Sequence, residues 1–479
     1  MTIADARKKW LALYVLCLGD LLIVLDISIV NVALPSIRDD LGFSEASLAW
    51  VINAYTLTFG GFMLLAGRLG DLLGHRRMFL AGVGLFTLAS LACGLATSQE
   101  VLVGARAIQG IGGAVVAAVA LSLIMTLFTE PRERAKAMGV IGFVAAGGGS
   151  IGVLAGGVLT DLLSWHWIFL VNLPVGAAVI ALCVLLLPGD SGERGRTSLD
   201  LAGAVTVTAS LMLAVYAIVN GNEQGWTSGR TLGLLGVAAA GLALFFAVEA
   251  RVKAPLMPLE LFRLRSVATA NAVGILWSAA MFAMFFLSAL YLQLVLGYSP
   301  LEVGLAFLPA NLLMGAFSLG LSARLVLRFG VKPPLVAGMA LVALGLALFA
   351  RAPVDGSFLV DVLPSMLILG VGIGMAMNPL LLAAMSDVRQ EEAGVASGVV
   401  NTSFMLGGAL GLAVLASVAA ARTGDDTSAA ALVDGYQAAF VIGVLFALAA
   451  GAVAAAFLRS GPATAMDPHA SGEPAVETS

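Results

Sequence analysis

The sequence predicts an all-α membrane protein of fourteen transmembrane helices: two pseudo-symmetric six-helix halves with two further spans inserted between them. Three observations carry that expectation. The composition is too apolar for a water-facing surface, the chain divides into fourteen apolar runs with asymmetric flanking charge, and its motifs recur at a nearly constant offset.

Of the 479 residues 60% are hydrophobic and 11% charged, with a mean hydropathy of +1.01. A soluble domain needs far more Lys, Arg, Asp and Glu to cover its surface. A bilayer solvates apolar side chains, so a chain with this composition fits there, at roughly 20 apolar residues per span. The net charge of -4 gives no basic footprint for nucleic acid. Cys17, Cys93 and Cys183 all lie in apolar runs without metal-ligand spacing, so buried free thiols are expected, with no metal and no cofactor. Arg7, Lys8 and Lys9 precede a first apolar run that continues into a polar motif without a small-residue cleavage site. That pattern reads as a first span rather than a removed signal peptide.

The apolar runs fall at 11–34, 48–66, 78–97, 101–128, 137–160, 168–187, 201–221, 231–250, 267–296, 301–323, 334–351, 358–386, 393–419 and 436–458. Several exceed the bilayer thickness, so tilt is expected. With a cytoplasmic N-terminus, twenty of the 25 basic residues fall in inner segments, and only Arg38, Arg230, Arg351 and Arg422 fall outside. One span more or fewer would invert the downstream loops and erase this asymmetry, so the positive-inside rule supports fourteen and puts both termini in the cytoplasm. The tail beyond Arg459, rich in Pro, Ser, Gly and Glu, is expected to be disordered.

The loop holding Gly67, Arg68, Asp71, Gly74, Arg76 and Arg77 recurs 256 residues later with Arg324, Gly330 and Lys332. Gly139, Gly148 and Gly152 recur at an offset of 259 as Gly398, Gly407 and Gly411. Two such matches at nearly one offset indicate duplicated halves, which in secondary transporters pack around a central site. The spans at 201–250 have no repeat partner. The expected organisation is therefore an N-terminal six-helix half (1–187), a linker with two extra spans (188–266), a C-terminal six-helix half (267–458) and a cytoplasmic tail (459–479).

Four motifs carry chemistry. Asp26 sits within the first span, between Leu25 and Asn31. A carboxylate in hydrocarbon is costly and is functional by default. Balanced between desolvation and a nearby cation, it can bind and release a proton as access alternates. Asp20 lies six residues earlier, about 120° around the helix, and either joins that polar network or faces an interface as a neutral acid. The fourth span carries Arg106, Gln109, Gly110, Gly112 and Gly113, and Arg106 is the one basic residue inside a span. Its guanidinium stays charged and needs an acid or cavity water, so Asp26 is the candidate partner and a static ion pair is the alternative.

Asp71 in the 67–77 loop can pair with Arg68, Arg76 or Arg77, or sit at a helix N-terminus, as a contact made in one transport state and broken in another. The alternative is a solvated loop that serves topology alone. In the fifth span Gly148, Gly152 and Gly156, with Gly157, leave one helix face without side chains, so a neighbouring backbone can approach closely. Repeated Gly also makes a bend point plausible there.

With these motifs in order, the chain resembles the major facilitator superfamily, and within it the fourteen-span drug:proton antiporters of multidrug efflux. The resemblance covers about residues 10–458. It extends to Trp165-His166-Trp167 with Phe169, Asn172, Pro174 and Gly176, to Tyr291 and Gln293 with Gly297-Tyr298-Ser299-Pro300, and to Gly394, Gly398 and Asn401. It implies the major facilitator fold, alternating access and a site within the cell membrane. It also implies that Asp26 is the proton-coupling acid, that Arg106 tunes it, that Gly67, Arg68, Asp71, Gly74, Arg76 and Arg77 form an interdomain latch, and that Gly148–Gly157 is the antiporter motif. Five positions depart from the family pattern: Val153 replaces a Pro, His166 an Arg, Phe404-Met405 an Arg-Gln pair, and Leu327 the acid of the second latch copy.

Candidates for the substrate cavity are Asn31, Asn53, Tyr55, Gln109, Trp277, Tyr291, Gln293, Asn378, Asn401 and Met405. Few charges lie inside the spans, and aromatic and Met side chains offer adaptable apolar surface. The expected partners are therefore protons, the lipid bilayer and a small lipophilic substrate (neutral, zwitterionic or monocationic), handled by a monomer. Export of drugs or antibiotics is the first reading. Export of an endogenous metabolite by the same mechanism is the second, and a non-transporting membrane sensor the third. His75, His166 and His469 are scattered, no catalytic arrangement is seen, and no Gly-x-x-x-x-Gly-Lys loop occurs, so neither an enzyme nor ATP-driven transport is expected.

Overall fold

The structure, a computed structural model, describes residues 3–128, 130–187, 201–252, 255, 259–385, 388, 393–424, 426 and 428–458. The expectations for the tail (459–479) and the first part of the linker (188–200) fall outside the described residues.

In hydrocarbon each backbone N–H and C=O must be satisfied within its own segment, and a helix does this. The long helices are α1 (Ile3–Leu41), α2 (Trp50–Leu73), α3 (His75–Gly94), α4 (Gln99–Leu127), α5 (Pro131–Leu162), α6 (Asn172–Leu186) and α7 (Leu201–Val219). They continue as α8 (Gly229–Glu249), α9 (Arg265–Leu290), α10 (Pro300–Ala316), α11 (Lys332–Phe349), α12 (Leu363–Met385), α13 (Ala393–Thr423) and α14 (Ala429–Phe457). Ten helical segments are long and apolar enough to cross a membrane, and parts of α5, α7 and α10 form shorter apolar helices. With α2 these account for all fourteen apolar runs, and no strand occurs among the described residues. This is a multi-pass membrane fold.

The helices start where their caps say they should. Ser98, Ser228 and Ser428 each accept a hydrogen bond from a backbone N–H in the first turn, of α4, α8 and α14 respectively. Ser299 and Glu302 form a reciprocal capping box ahead of Pro300 at the start of α10. Between α2 and α3 the chain turns on Gly74 alone, at φ 99°, a conformation a side chain would strain.

The duplication is visible in the packing. In the first half α1 packs on α5 and α6, α2 on α4, and α3 on α4 and α6. In the second half α9 packs on α13 and α14, α10 on α12, and α11 on α12 and α14, which is the same pattern. The halves meet through α5 with α10, α2 with α13, and α1 with α9. The inserted pair is asymmetric: α7 lies along α2 and α13, and α8 lies on α7 with Leu232, Val237 and Leu244 exposed on its far face.

The largest apolar cluster joins the halves. It combines Val32, Leu34 and Ile37 of α1 and Val153 of α5 with Phe286, Leu290, Val303 and Phe307 of the second half. Toward the opposite end, where the basic loops lie, further clusters occur among the described residues. One cluster there centres on the first half, around Leu16, Phe79, Val119 and Phe128, and a small one is confined to Leu261, Val267 and Ala396.

Candidate functional site

The Gly-rich face of α5 positions α1. A Cβ built on Gly156 would lie 2.7 Å from the Ile29 carbonyl oxygen, so α1 and α5 touch backbone to backbone. A Cβ on Gly157 would lie 2.6 Å from the Pro300 carbonyl oxygen, so the next position clamps α5 to α10 of the other half. Gly407 likewise faces Ile275 and Gly411 faces Ala279, on α9. The repeated Gly stripe therefore packs the first helix of each half onto its fifth. Helix α5 runs as one α-helix from Pro131 to Leu162, through the Gly stripe and Val153.

That packing leaves Asp26 facing α3 and α4. Arg106 and Gln109 lie three residues apart on α4, and Ser90 and Cys93 three apart on α3, so each pair shares a helix face. Arg106 Nη1 donates to Asp26 Oδ2 at 2.5 Å and to Gln109 Oε1 at 2.6 Å, and its Nε donates to the Val51 carbonyl at 2.9 Å. Gln109 Nε2 donates to Asp26 Oδ1 at 2.7 Å and to Ser90 Oγ at 2.8 Å. Asn172, in the first turn of α6, donates to Asp26 Oδ1 at 3.2 Å. The Cys93 thiol reaches Gln109 Oε1 at 3.7 Å. The Arg106 guanidinium lies 4.4 Å from the Tyr55 ring centroid and 5.6 Å from that of Phe169, both within cation–π range.

Asp26 is 0% and Arg106 1% exposed. Burying two charges costs several kcal/mol each unless nearly every polar atom is satisfied, and this network does that. All three partners of Asp26 donate, so the carboxyl needs no proton of its own to complete its hydrogen bonds.

The predicted residues divide by location. Asp26, Arg106, Gln109 and Tyr55 come together; for Gln109 and Tyr55 that is the ionic network rather than an open cavity wall. Ser90, Cys93 and Asn172 also belong to it. The signal for Asn172 was its place in the Trp165–Gly176 motif, whereas nothing in the sequence singles out Ser90. The same motif folds as a lid over the pair, with Phe169 against Arg106, Trp165 Nε1 donating to Asp40 Oδ2 at 3.0 Å, and His166 stacked on Trp165 at 3.8 Å.

Gln293 and Tyr291 lie on a π-helical turn after α9, at the joined end. Gln293 Nε2 donates across the halves to the Val32 carbonyl at 2.8 Å, and the Tyr291 hydroxyl to the Pro353 carbonyl at 2.7 Å. Both therefore sit in the seal rather than in a central cavity. Asn53 is fully buried and neither side-chain polar atom has a partner. Asn378 donates to the Ser318 carbonyl at 2.7 Å, and Asn31 to Ile27, one turn back on its own helix. Trp277 packs against Phe404 at 5.5 Å, and Met405 of the same helix faces Gly60 of α2, so these three form an apolar patch where α9, α13 and α2 converge. Asn401 is half-buried one turn from that patch.

Three polar contacts at the basic end each lie within one half. Lys9 pairs with Glu133 at 2.5 Å, Arg76 donates to the Val184 carbonyl at 2.7 Å, and Arg265 to that of Ala456 at 3.4 Å. Gly67 lies in α2 and Gly74 at the corner, while the side chains of Arg68 and Asp71 are outside the described residues. Among the described residues no His, Cys, Asp and Glu group could hold a metal ion.

Comparison with known proteins agrees with this arrangement. The pattern of the Major Facilitator Superfamily matches residues 16–412. This chain belongs to the Major Facilitator Superfamily. It is 40% identical over 448 residues to a puromycin resistance protein of Streptomyces alboniger, covering 92% of this chain and 89% of the relative. It is 41% identical over 440 residues to a cephamycin export protein of Amycolatopsis lactamdurans, covering 91% and 90%. A lincomycin resistance protein of Streptomyces lincolnensis is 39% identical over 422 residues, covering 87% and 85%. Among solved structures the nucleoside transporter NupG superposes with a TM-score of 0.67 at 14% identity, over 94% of this chain and all of that one, a likeness of fold alone. The superfamily chain is thus a membrane transporter rather than an enzyme.

Proposed function

We propose that this superfamily member is a proton-coupled secondary transporter that exports lipophilic drugs or antibiotics by alternating access. The observation that carries the reading is the sealed Asp26–Arg106 pair, a titratable acid held against a permanent cation inside one half. The largest apolar cluster joins the halves at the end away from the basic loops, and the positive-inside rule makes the basic end cytoplasmic. In this state Asp26 is satisfied as an anion. Protonating it from outside would remove its attraction for Arg106 and favour the other state, so each cycle would carry protons inward and substrate outward.

In this reading helices α1–α6 and α9–α14 are the two rocking bodies, in the cell membrane, with both termini cytoplasmic and the monomer as the working unit. The Gly67–Arg77 corner is the latch that closes the cytoplasmic end in the outward-facing state. Trp277, Phe404, Met405, Asn31, Asn401 and Asn378 line the substrate path. Three relatives, named for puromycin resistance, cephamycin export and lincomycin resistance, support an antibiotic as substrate.

In everted vesicles, Asp26→Asn should abolish substrate-induced proton movement while the protein still reaches the membrane. Unchanged coupling would refute the role of Asp26. A relative named for export of cephamycin also favours a second reading, in which the substrate is a product of the same cell. Accumulation of one metabolite inside a deletion strain would select that reading over export of foreign drugs.

A further inference from the structure

Asn53 is fully buried, and neither its amide nitrogen nor its amide oxygen has a hydrogen-bond partner among the described residues. Other asparagines in the apolar helices find one. Asn31 and Asn271 each donate to the carbonyl four residues back on their own helix. Asn378 and Asn172 reach other elements. Asn53 does neither. A buried amide without a partner keeps its desolvation cost uncompensated, which is worth roughly a five- to 150-fold factor in an equilibrium. A group of that cost calls for a reason.

Its place on α2 supplies one. Tyr55 and Thr58 turn toward α4 of the same half. A Cβ on Gly110 would lie 2.3 Å from the Tyr55 carbonyl oxygen, and Thr58 donates to the Ala107 carbonyl at 2.8 Å. Asn53 lies about 140–160° around α2 from these two residues, on the opposite side of the helix. It shares that side with Leu57 and Gly60, four and seven residues on. Leu57 is buried with Ala409 and Ala413 of α13, and a Cβ on Gly60 would lie 2.9 Å from the Met405 Cβ of the same helix. Asn53 therefore stands on the seam between the halves and not inside the first half. Ala49 and Ile52, beside it on α2, belong to the apolar cluster that joins the halves.

We infer that Asn53 is an opening group of the α2–α13 seam: its unpaired amide weakens the joined arrangement and so eases separation of the halves at that end. The inference rests on the reading that the halves rock, and on neither proton coupling nor the identity of the substrate. While α2 and α13 touch, the amide is buried without a partner. When they part it meets water, which satisfies both of its polar atoms. The apolar cluster favours the joined arrangement, and Asn53 favours the parted one. A transporter visits both arrangements only if their free energies are close, so a penalty confined to the joined one offsets part of its apolar gain.

The test uses the purified full-length protein in lipid nanodiscs, with no substrate. Ile37, fully buried in the joining cluster, is replaced by Cys, and its labelling by a hydrophilic maleimide is timed. Cys17, Cys93 and Cys183 are buried, and the protein without Ile37→Cys gives their baseline. Asn53→Leu is expected to slow labelling at least about fivefold and to raise the melting temperature. Asn53→Ala cannot overpack the seam and should also slow labelling, by at least about twofold. Leu57→Ala, on the same side of α2, should speed it, because it deletes apolar contact from the seam. Equal or faster labelling in both Asn53 variants, with Leu57→Ala still faster than the parent, would overturn the inference and leave the rocking halves standing. No labelling of Ile37→Cys in any of these proteins would remove the rocking reading and the inference with it.

Discussion

At the residue scale the molecule turns on how one buried charge pair is satisfied. Arg106 uses Nη1 for both Asp26 and Gln109, and Nε for the Val51 carbonyl. Lysine places a single ammonium on a flexible stem and cannot reproduce that fork. Arg106→Lys should therefore leave a buried acceptor unpaired and lower stability by about 1–3 kcal/mol, read as a fall in melting temperature in detergent. Arg106→Ala should cost more, about 3–5 kcal/mol, because Asp26 then stays buried without a countercharge. Asp26→Asn combined with Arg106→Ala should recover part of that loss, since the double variant buries no charge; a strictly additive result would show that the two side chains act independently.

At the element scale, close approach of backbones replaces the hydrophobic drive that lipid takes away. The Gly face of α5 meets α1 at Gly156 and α10 at Gly157, so one helix both builds the first half and holds it to the second. Gly157→Val would push its side chain into Pro300 and Leu301 and should cost about 1–3 kcal/mol of the joined state. Its effect is best read as access. Since Cys17, Cys93 and Cys183 are buried, a reporter made by Ile37→Cys in the shared core should gain labelling by a membrane-impermeant maleimide when Gly157→Val is added. No gain would mean that the α5–α10 contact does not hold the joined end shut. The inserted hairpin has a different bond to the halves: Thr208 of α7 fits against Gly61 of α2, and Ser417 of α13 donates to the Ile218 carbonyl at 3.1 Å. It thereby spans the α2–α13 seam while α5–α10 carries no such cover among the described residues.

At the scale of the whole molecule, two bodies with the same internal packing are joined at one end. The Gln293 to Val32 hydrogen bond is a polar tie between them within an otherwise apolar seal. Replacing it by Gln293→Leu should remove about 1 kcal/mol from the joined state, roughly a fivefold shift in population toward opening. The same Ile37→Cys reporter measures that shift, and a shift below twofold would assign the seal to apolar packing alone.

Much of this was legible in the chain itself. The apolar spans and the duplication follow from apolar length and recurrence, because hydrocarbon leaves a buried backbone few solutions and tolerates few charges. Asp26 and Arg106 were legible for the same reason: an acid and a base within spans must find each other. What only the tertiary structure decided was which neutral groups completed that pair. Ser90 looks like an ordinary polar residue in an apolar run, Asn172 stood out only as part of the Trp165–Gly176 motif, and Gln109 and Tyr55 could equally have lined a cavity. Tyr291 and Gln293 went to the seal because a π-turn at the end of α9 brings them against α1 and the Pro353 loop, a contact with no sequence period. Which residues of the two halves meet, as in the shared core of Val32, Ile37, Phe286 and Phe307, is likewise a property of packing between halves.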